Sequence, residues 1–251
     1  MTNFQALGWL LVTLVPLLFF HHYLHREIQA ILLILTRRAD LTIMLYSLVF
    51  LPGVLLHEIS HWLMAKLLGV RTGSFSVVPR ATGNNKLQLG YVETAEVDWF
   101  RDALIGAAPL ITGGIVVAYA GLSHLNMDDS WLQASAGGWE AFTSAVASFY
   151  GQPDFWLWFY IIFVVSSTML PSASDRRAWL PVLLVLTVLA GITLFAGAGA
   201  RFADNFVDPL NSLISIVAII FAISCFVHII LLPPVWITRL VLSRFTGTQV
   251  V

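Results

Sequence analysis

The chain has 251 residues, 58% of them hydrophobic and 11% charged, against about a quarter charged in soluble domains. Thirteen Lys+Arg against fourteen Asp+Glu give a formal net charge of -1, which excludes the basic excess of a nucleic-acid binder, and so apolar a chain is not a disordered one. The single cysteine, Cys225, excludes an internal disulfide framework and, set in an apolar run, reads as a small core residue.

Six apolar segments come near the ~20 residues that cross a ~30 Å hydrocarbon layer. Residues 4–20 lack a positive start and a small-residue cleavage site, so they read as a retained anchor. The apolar run 28–35 is too short to cross and reads as an interfacial stretch or the start of the second helix. The second span, 41–68, is long and interrupted by polar residues. After it, Phe75 and Val77 alternate with polar residues, as do Leu87, Leu89 and Tyr91, around the turn Thr82-Gly83-Asn84-Asn85. This pattern predicts a small β-hairpin at about 72–98.

The third span is 103–122. A loop over 123–154 follows that holds neither Lys nor Arg, and Trp131, Trp139, Trp156 and Trp158 suit a membrane interface. The fourth span, 155–170, is short and aromatic; the fifth is 179–200 and the sixth 210–236. The expected fold is a single all-α polytopic membrane domain of about six transmembrane helices. Residues 1–40 form an N-terminal anchor and interfacial segment, 41–200 a core with the hairpin, and 201–251 a C-terminal helix and tail.

With six crossings both termini lie on the side reached at Leu68. That side carries Lys66, Arg71, Arg80, Lys86, Arg101, Arg176, Arg177, Arg239 and Arg244; the other carries Arg26, Arg37, Arg38 and Arg201. Nine cations against four predict that the first side is cytoplasmic.

The second span contains His57-Glu58-Ile59-Ser60-His61. On a helix, imidazoles four residues apart share a face and can reach one metal ion, while Glu58 between them can take a proton from water. Three ionisable groups within one apolar helix are costly unless they face a polar cavity or a ligand. The competing reading is a structural polar cluster.

A hydrolytic zinc site takes three protein ligands and keeps one position open. Topology removes His124, Asp128, Asp129, Glu140, Asp154, Asp204 and Asp208, which fall on the far side. His228, alone in an apolar helix, reads as a core histidine. Asp175 follows the fourth span; a continuous helix from Phe155 would carry it ~30 Å along, to the depth of His57. It lies in Pro171-Ser172-Ala173-Ser174-Asp175-Arg176-Arg177, where Pro171 kinks or ends the helix. The rivals are Glu93 or Glu96 as the third ligand, or an Asp175 merely paired to Arg176 or Arg177.

At this point the chain resembles the site-2 protease family of intramembrane zinc metalloproteases. The resemblance rests on His57-Glu58-Ile59-Ser60-His61, on Gly106-Ala107-Ala108-Pro109-Leu110 in the next span, and on an Asp in a later span. It covers about 41–200 and implies a three-helix metalloprotease core with added helices. It further implies His57, His61 and Asp175 as Zn2+ ligands, Glu58 as general base, a membrane-protein substrate, and a site toward the cytoplasm of a cell (inner) membrane. The chain departs from the family where the third-ligand motif usually reads Asn-Pro-Asp-Gly or Leu-Asp-Gly and here reads Ser-Ala-Ser-Asp-Arg-Arg. It also has no insertion long enough for a PDZ domain, so it reads as a compact, divergent branch.

Thr112 or Ser174 are candidates to stabilise the oxyanion, with Tyr91 a further substrate-binding candidate. Ser166, Ser167, Thr168 and Ser172 are candidates to line a water path, and the hairpin edge could pair with an unwound substrate strand. Two other classes compete. His21-His22-Tyr23-Leu24-His25 looks like one box of a membrane di-iron hydroxylase or desaturase, although His21, His22 and His25 also suit an interface. The other is a catalytically inactive, protease-like membrane scaffold.

Overall fold

Long apolar runs fold as helices because a bilayer offers no partner to an unpaired backbone group. The structure, a computed structural model, describes residues 5–82, 86–195 and 207–247. Helix α1 is Gln5–Thr36 and α2 is Ala39–Leu67. Four short strands follow: β1 (Thr72–Ser76), β2 (Arg80–Thr82), β3 (Lys86–Gln88) and β4 (Tyr91–Thr94). Helix α3 (Trp99–Ala118) continues into a wider π-helical turn over Tyr119–His124. Then come α4 (Met127–Ser135), α5 (Trp139–Tyr150), α6 (Phe155–Thr168), α7 (Trp179–Phe195) and α8 (Asp208–Thr246). Among the described residues four helices are long and apolar enough to cross a membrane: α1, α2, α3 with its extension, and α8.

Three features correct the expectations. The apolar run 28–35 is neither a separate stretch nor the start of the second helix; it forms the last turns of a continuous 32-residue α1. No Gly or Pro interrupts the sequence between Phe20 and Ile28, and His21, His25 and Glu27 find partners across the bundle. Buried Glu27 forms an ion pair with Arg239 of α8. His25 hydrogen-bonds Tyr46 of α2, and His21 Nε2 lies 3.0 Å from the Ser167 carbonyl oxygen. These histidines therefore face the helix bundle. The stretch 123–154 is also not an open loop, for α4 and α5 occupy most of it. Finally α6 stops at Thr168, 14 residues long, about 21 Å, with Pro171 three residues on. No continuous helix reaches Asp175.

The hairpin forms as expected. β1 pairs antiparallel with β4 (Phe75 opposite Val92) and β2 with β3 (Thr82 opposite Lys86). Its turn, 83–85, lies outside the described residues, as do 196–200 of the fifth span and Arg201 and Asp204. Val77 and Leu89 pack onto the main core, and β1 and β4 lie against α2. Helix α6 sits at the centre, with Phe159, Ile162, Phe163, Val164 and Val165 all buried. α2 and α3 pack on it and on each other, while α1 and α8 run along one another in the same direction, Glu27 meeting Arg239 as His21 meets His228. Six crossings would oppose these two helices, so Arg239 lies on the side of Arg26 and not on that of Lys66.

Candidate metal centre

His57 and His61 lie one turn apart on α2 and face α3 and α6. Each imidazole is held by a carbonyl that has no partner in its own helix. Thr168 ends α6, so its carbonyl oxygen has no intrahelical donor; His57 Nδ1 donates to it at 2.7 Å. The Ile105 carbonyl of α3 would be bonded by the backbone N–H of residue 109, but residue 109 is proline and has none. His61 Nδ1 donates there instead, at 2.8 Å.

Carbonyl oxygens only accept, so the proton of each neutral ring sits on Nδ1 and each Nε2 presents a lone pair. The two Nε2 atoms lie 3.1 Å apart. Facing lone pairs at that separation repel unless a cation lies between them.

Asp175 completes the group. Its Oδ1 is 3.5 Å from His61 Nε2 and its Oδ2 is 3.8 Å from His57 Nε2. The ligand atoms of His57, His61 and Asp175 all lie within 4.8 Å of one another. Four ligands placed tetrahedrally about 2.0–2.1 Å from a zinc ion are themselves about 3.3–3.4 Å apart. Two imidazole nitrogens and a carboxylate at these separations fit such an ion and leave one position open. Among the described residues no other group of three His, Cys, Asp or Glu side chains converges in this way.

Asp175 reaches the histidines from a loop between α6 and α7. Ser172 N–H donates to its Oδ2 at 2.7 Å and fixes the carboxylate. Its backbone carbonyl abuts Gly106 of α3, where an added Cβ would stand 2.9 Å from the carbonyl carbon and closer still to the oxygen; only glycine admits the loop. The neighbouring arginines turn elsewhere. Arg177 makes two hydrogen bonds to Asp102, at 2.7 and 2.8 Å, and Arg176 Nε donates to the Ser172 carbonyl at 3.3 Å. The Asp102 hydrogen bond raises the Arg177 guanidinium above its ordinary pKa.

Glu58 is buried, 6% exposed. The hairpin backbone covers it: a Cβ on Gly90 would stand 2.8 Å from Glu58 Cγ and 2.9 Å from Oε1. Glu93 and Glu96 are exposed and outside the ligand group; the Glu93 carboxylate accepts from Ser74 N–H at 3.2 Å. Thr112 Oγ1 joins α3 to α2, 2.5 Å from Ser60 Oγ and donating to the Ala108 carbonyl at 2.9 Å. Ser174 is exposed, its hydroxyl 2.7 Å from that of Ser172, and Tyr91 is half-buried at the start of β4. Ser166 bonds the Phe163 carbonyl at 3.2 Å.

His228 is fully buried, its Nδ1 on the Ser224 carbonyl at 2.8 Å and its Nε2 3.3 Å from Ser167 Oγ. It is a satisfied core histidine, as its apolar setting predicts. The parts that the sequence reading missed are the supporting ones: Ile105 with Pro109, Asp102 with Arg177, and Gly90. Only Pro109 left a signal, since a proline inside a helix always frees the carbonyl four residues earlier.

No family model matches the chain, and neither a curated protein nor a solved structure matches it.

Proposed function

We propose that this chain is an intramembrane zinc metallopeptidase of the site-2 protease kind, cleaving peptide bonds of membrane-spanning proteins. One observation carries the reading: two imidazoles with their Nδ1 atoms occupied by carbonyls turn both Nε2 atoms toward one carboxylate, and Glu58 is the residue next to His57. Zinc is the metal of choice for two histidines, one carboxylate and an open position, and when bound it supplies a nucleophile at neutral pH and polarises a carbonyl.

The chain's own residues do the rest. His57, His61 and Asp175 hold the ion. Glu58 takes the proton from the attacking water and hands it to the leaving amine. Burial beneath Gly90 keeps that carboxylate near the reacting atoms and away from bulk solvent. A substrate helix has its carbonyls bonded internally, so it unwinds before cleavage, and the β1–β4 sheet beside Glu58 offers an edge to the extended strand. Ser174 and Tyr91 are the polar side chains offered to that strand. Thr112, bonded to both Ser60 and Ala108, serves α2–α3 packing first.

In this reading α2, α3 and α6 form the three-helix core. The end of the bundle that carries Lys66, Arg71, Arg101, Arg176 and Arg177 then faces the cytoplasm of a cell (inner) membrane, with the site toward it.

The di-iron alternative is less well supported. His21, His25 and His228 approach one another, with ring centroids 4.1 Å apart for His21–His25 and 5.9 Å for His21–His228, yet they form no second ligand group. The test is reconstitution of the purified protein with zinc and a tagged single-span substrate in lipid. Cleavage that needs Glu58 and stops on chelation supports the reading. Cleavage unchanged in Glu58→Gln refutes it, as does a bound iron pair.

A further inference from the structure

The loop over 169–178 carries a metal ligand without forming helix or strand along most of its length. An irregular segment costs conformational entropy to fix, and a ligand must be held to about 0.5 Å. Within the loop, Ser172 N–H fixes the Asp175 carboxylate, but that bond moves with the loop. What ties the loop to the bundle is α3. Asp102, Ile105 and Gly106 stand at i, i+3 and i+4, on one face of that helix. Ile105 orients His61, Gly106 admits the Asp175 backbone, and Asp102 takes both hydrogen bonds from Arg177.

We propose that Asp102 and Arg177 are positioning residues for the metal centre: their paired hydrogen bonds index the Asp175 loop to the same helix that orients His61. The proposal rests on the reading of His57, His61 and Asp175 as metal ligands. A guanidinium two residues past the ligand fixes the loop by a planar two-point contact.

The Arg177 side chain is 63% exposed and that of Asp102 19%, so the pair adds little to global stability. Its effect belongs in metal affinity, not in unfolding. The pair meets water, so its effect responds to salt. Partners that hydrogen-bond a metal ligand directly tune affinity by about 10- to 100-fold. This pair acts one step further out and in contact with water, so roughly five- to tenfold is expected.

The experiment is a double-mutant cycle on zinc affinity, read by chelator competition with Zn2+ alone on the full-length protein in lipid or detergent. The variants are Asp102→Asn, Arg177→Gln and their combination. Arg177→Lys keeps the charge without the fork, and Arg101→Gln, which faces Asp98 rather than the loop, is the control. Circular dichroism and thermal unfolding of the metal-free forms report folding separately. Each single change is expected to weaken zinc binding five- to tenfold, the double no more than either, and Arg177→Lys by an intermediate amount. At ~1 M salt, where screening acts within ~3 Å, the gap narrows.

Single variants within twofold of wild type, or effects that multiply in the double, overturn the proposal while leaving the metal reading intact. Wild type that takes up no zinc overturns both. Variants that lose folding together with zinc assign the pair to the fold instead.

Discussion

The His61 imidazole donates to the Ile105 carbonyl, 2.8 Å away, and it can do so because the residue four places beyond Ile105 is Pro109. A proline inside a helix usually counts as a defect. Here the missing N–H releases an acceptor that orients one of the histidines proposed to hold a metal ion. The same economy holds at the end of α6, where the last carbonyl receives His57.

Pro109→Ala tests this directly. The new backbone N–H competes with His61 for the Ile105 carbonyl. Zinc affinity, measured by chelator competition, is expected to fall about 10- to 100-fold, with helix content unchanged or slightly raised. Affinity equal to wild type would show that the carbonyl does not orient the ring.

The third ligand is tested by three alanine variants. Asp175→Ala is expected to lose stoichiometric zinc. Glu93→Ala and Glu96→Ala are expected to retain it, because both side chains are exposed and outside the ligand group. Atomic emission on the purified proteins reads the outcome; a zinc-free Glu93 or Glu96 variant would move the ligand to the hairpin.

Glu58→Gln separates binding from chemistry. It is expected to keep zinc and lose at least ~100-fold in cleavage rate, the lower end for a general base. Gly90→Ala acts on the same side chain from above, since its Cβ meets Glu58 Cγ at 2.8 Å. It is expected to lower kcat and leave zinc content unchanged. A Gly90→Ala enzyme with wild-type kcat would mean that the hairpin gives way and does not hold Glu58.

Gly53 lets α2 approach α6. An added Cβ would stand 2.5 Å from Thr168 Oγ1 and 2.9 Å from the Val164 carbonyl carbon, and Gly53 lies one turn before His57 on the same face. Gly53→Ala is expected to cost about 1–3 kcal/mol through overpacking and to weaken zinc by separating His57 from the Thr168 carbonyl. A denaturant titration in mixed micelles reads the first effect. An unchanged midpoint would contradict the close approach.

Much of this was legible in the residues. The apolar runs mark the long helices α2, α3 and α8, and the spacing of His57 and His61 puts both rings on one face because helix geometry is local. The β-hairpin follows from alternation at Phe75, Val77, Leu87 and Leu89. Depth arithmetic points to Asp175, although it rests on a continuous helix where α6 in fact ends at Thr168 and a loop carries Pro171 and Asp175. What was not legible depends on partners distant in sequence. The run from His21 to Glu27 looks like the end of a span until Arg239 and Tyr46 are known to face it. Helices α4 and α5 are short, and α4 is polar besides, so neither stands out from a loop. Asp102 and Arg177 are 75 residues apart, and nothing local pairs them.

The central claim is one ion held by two imidazoles and one carboxylate. X-ray absorption at the zinc edge of the purified, lipid-embedded wild-type protein tests it most directly. The account predicts one zinc per chain, with two imidazole nitrogens at about 2.0–2.1 Å and carboxylate or water oxygen at about 2.0–2.2 Å, and loss of the protein oxygen in Asp175→Ala. A chain that holds no zinc, or holds it without imidazole scattering, would contradict it.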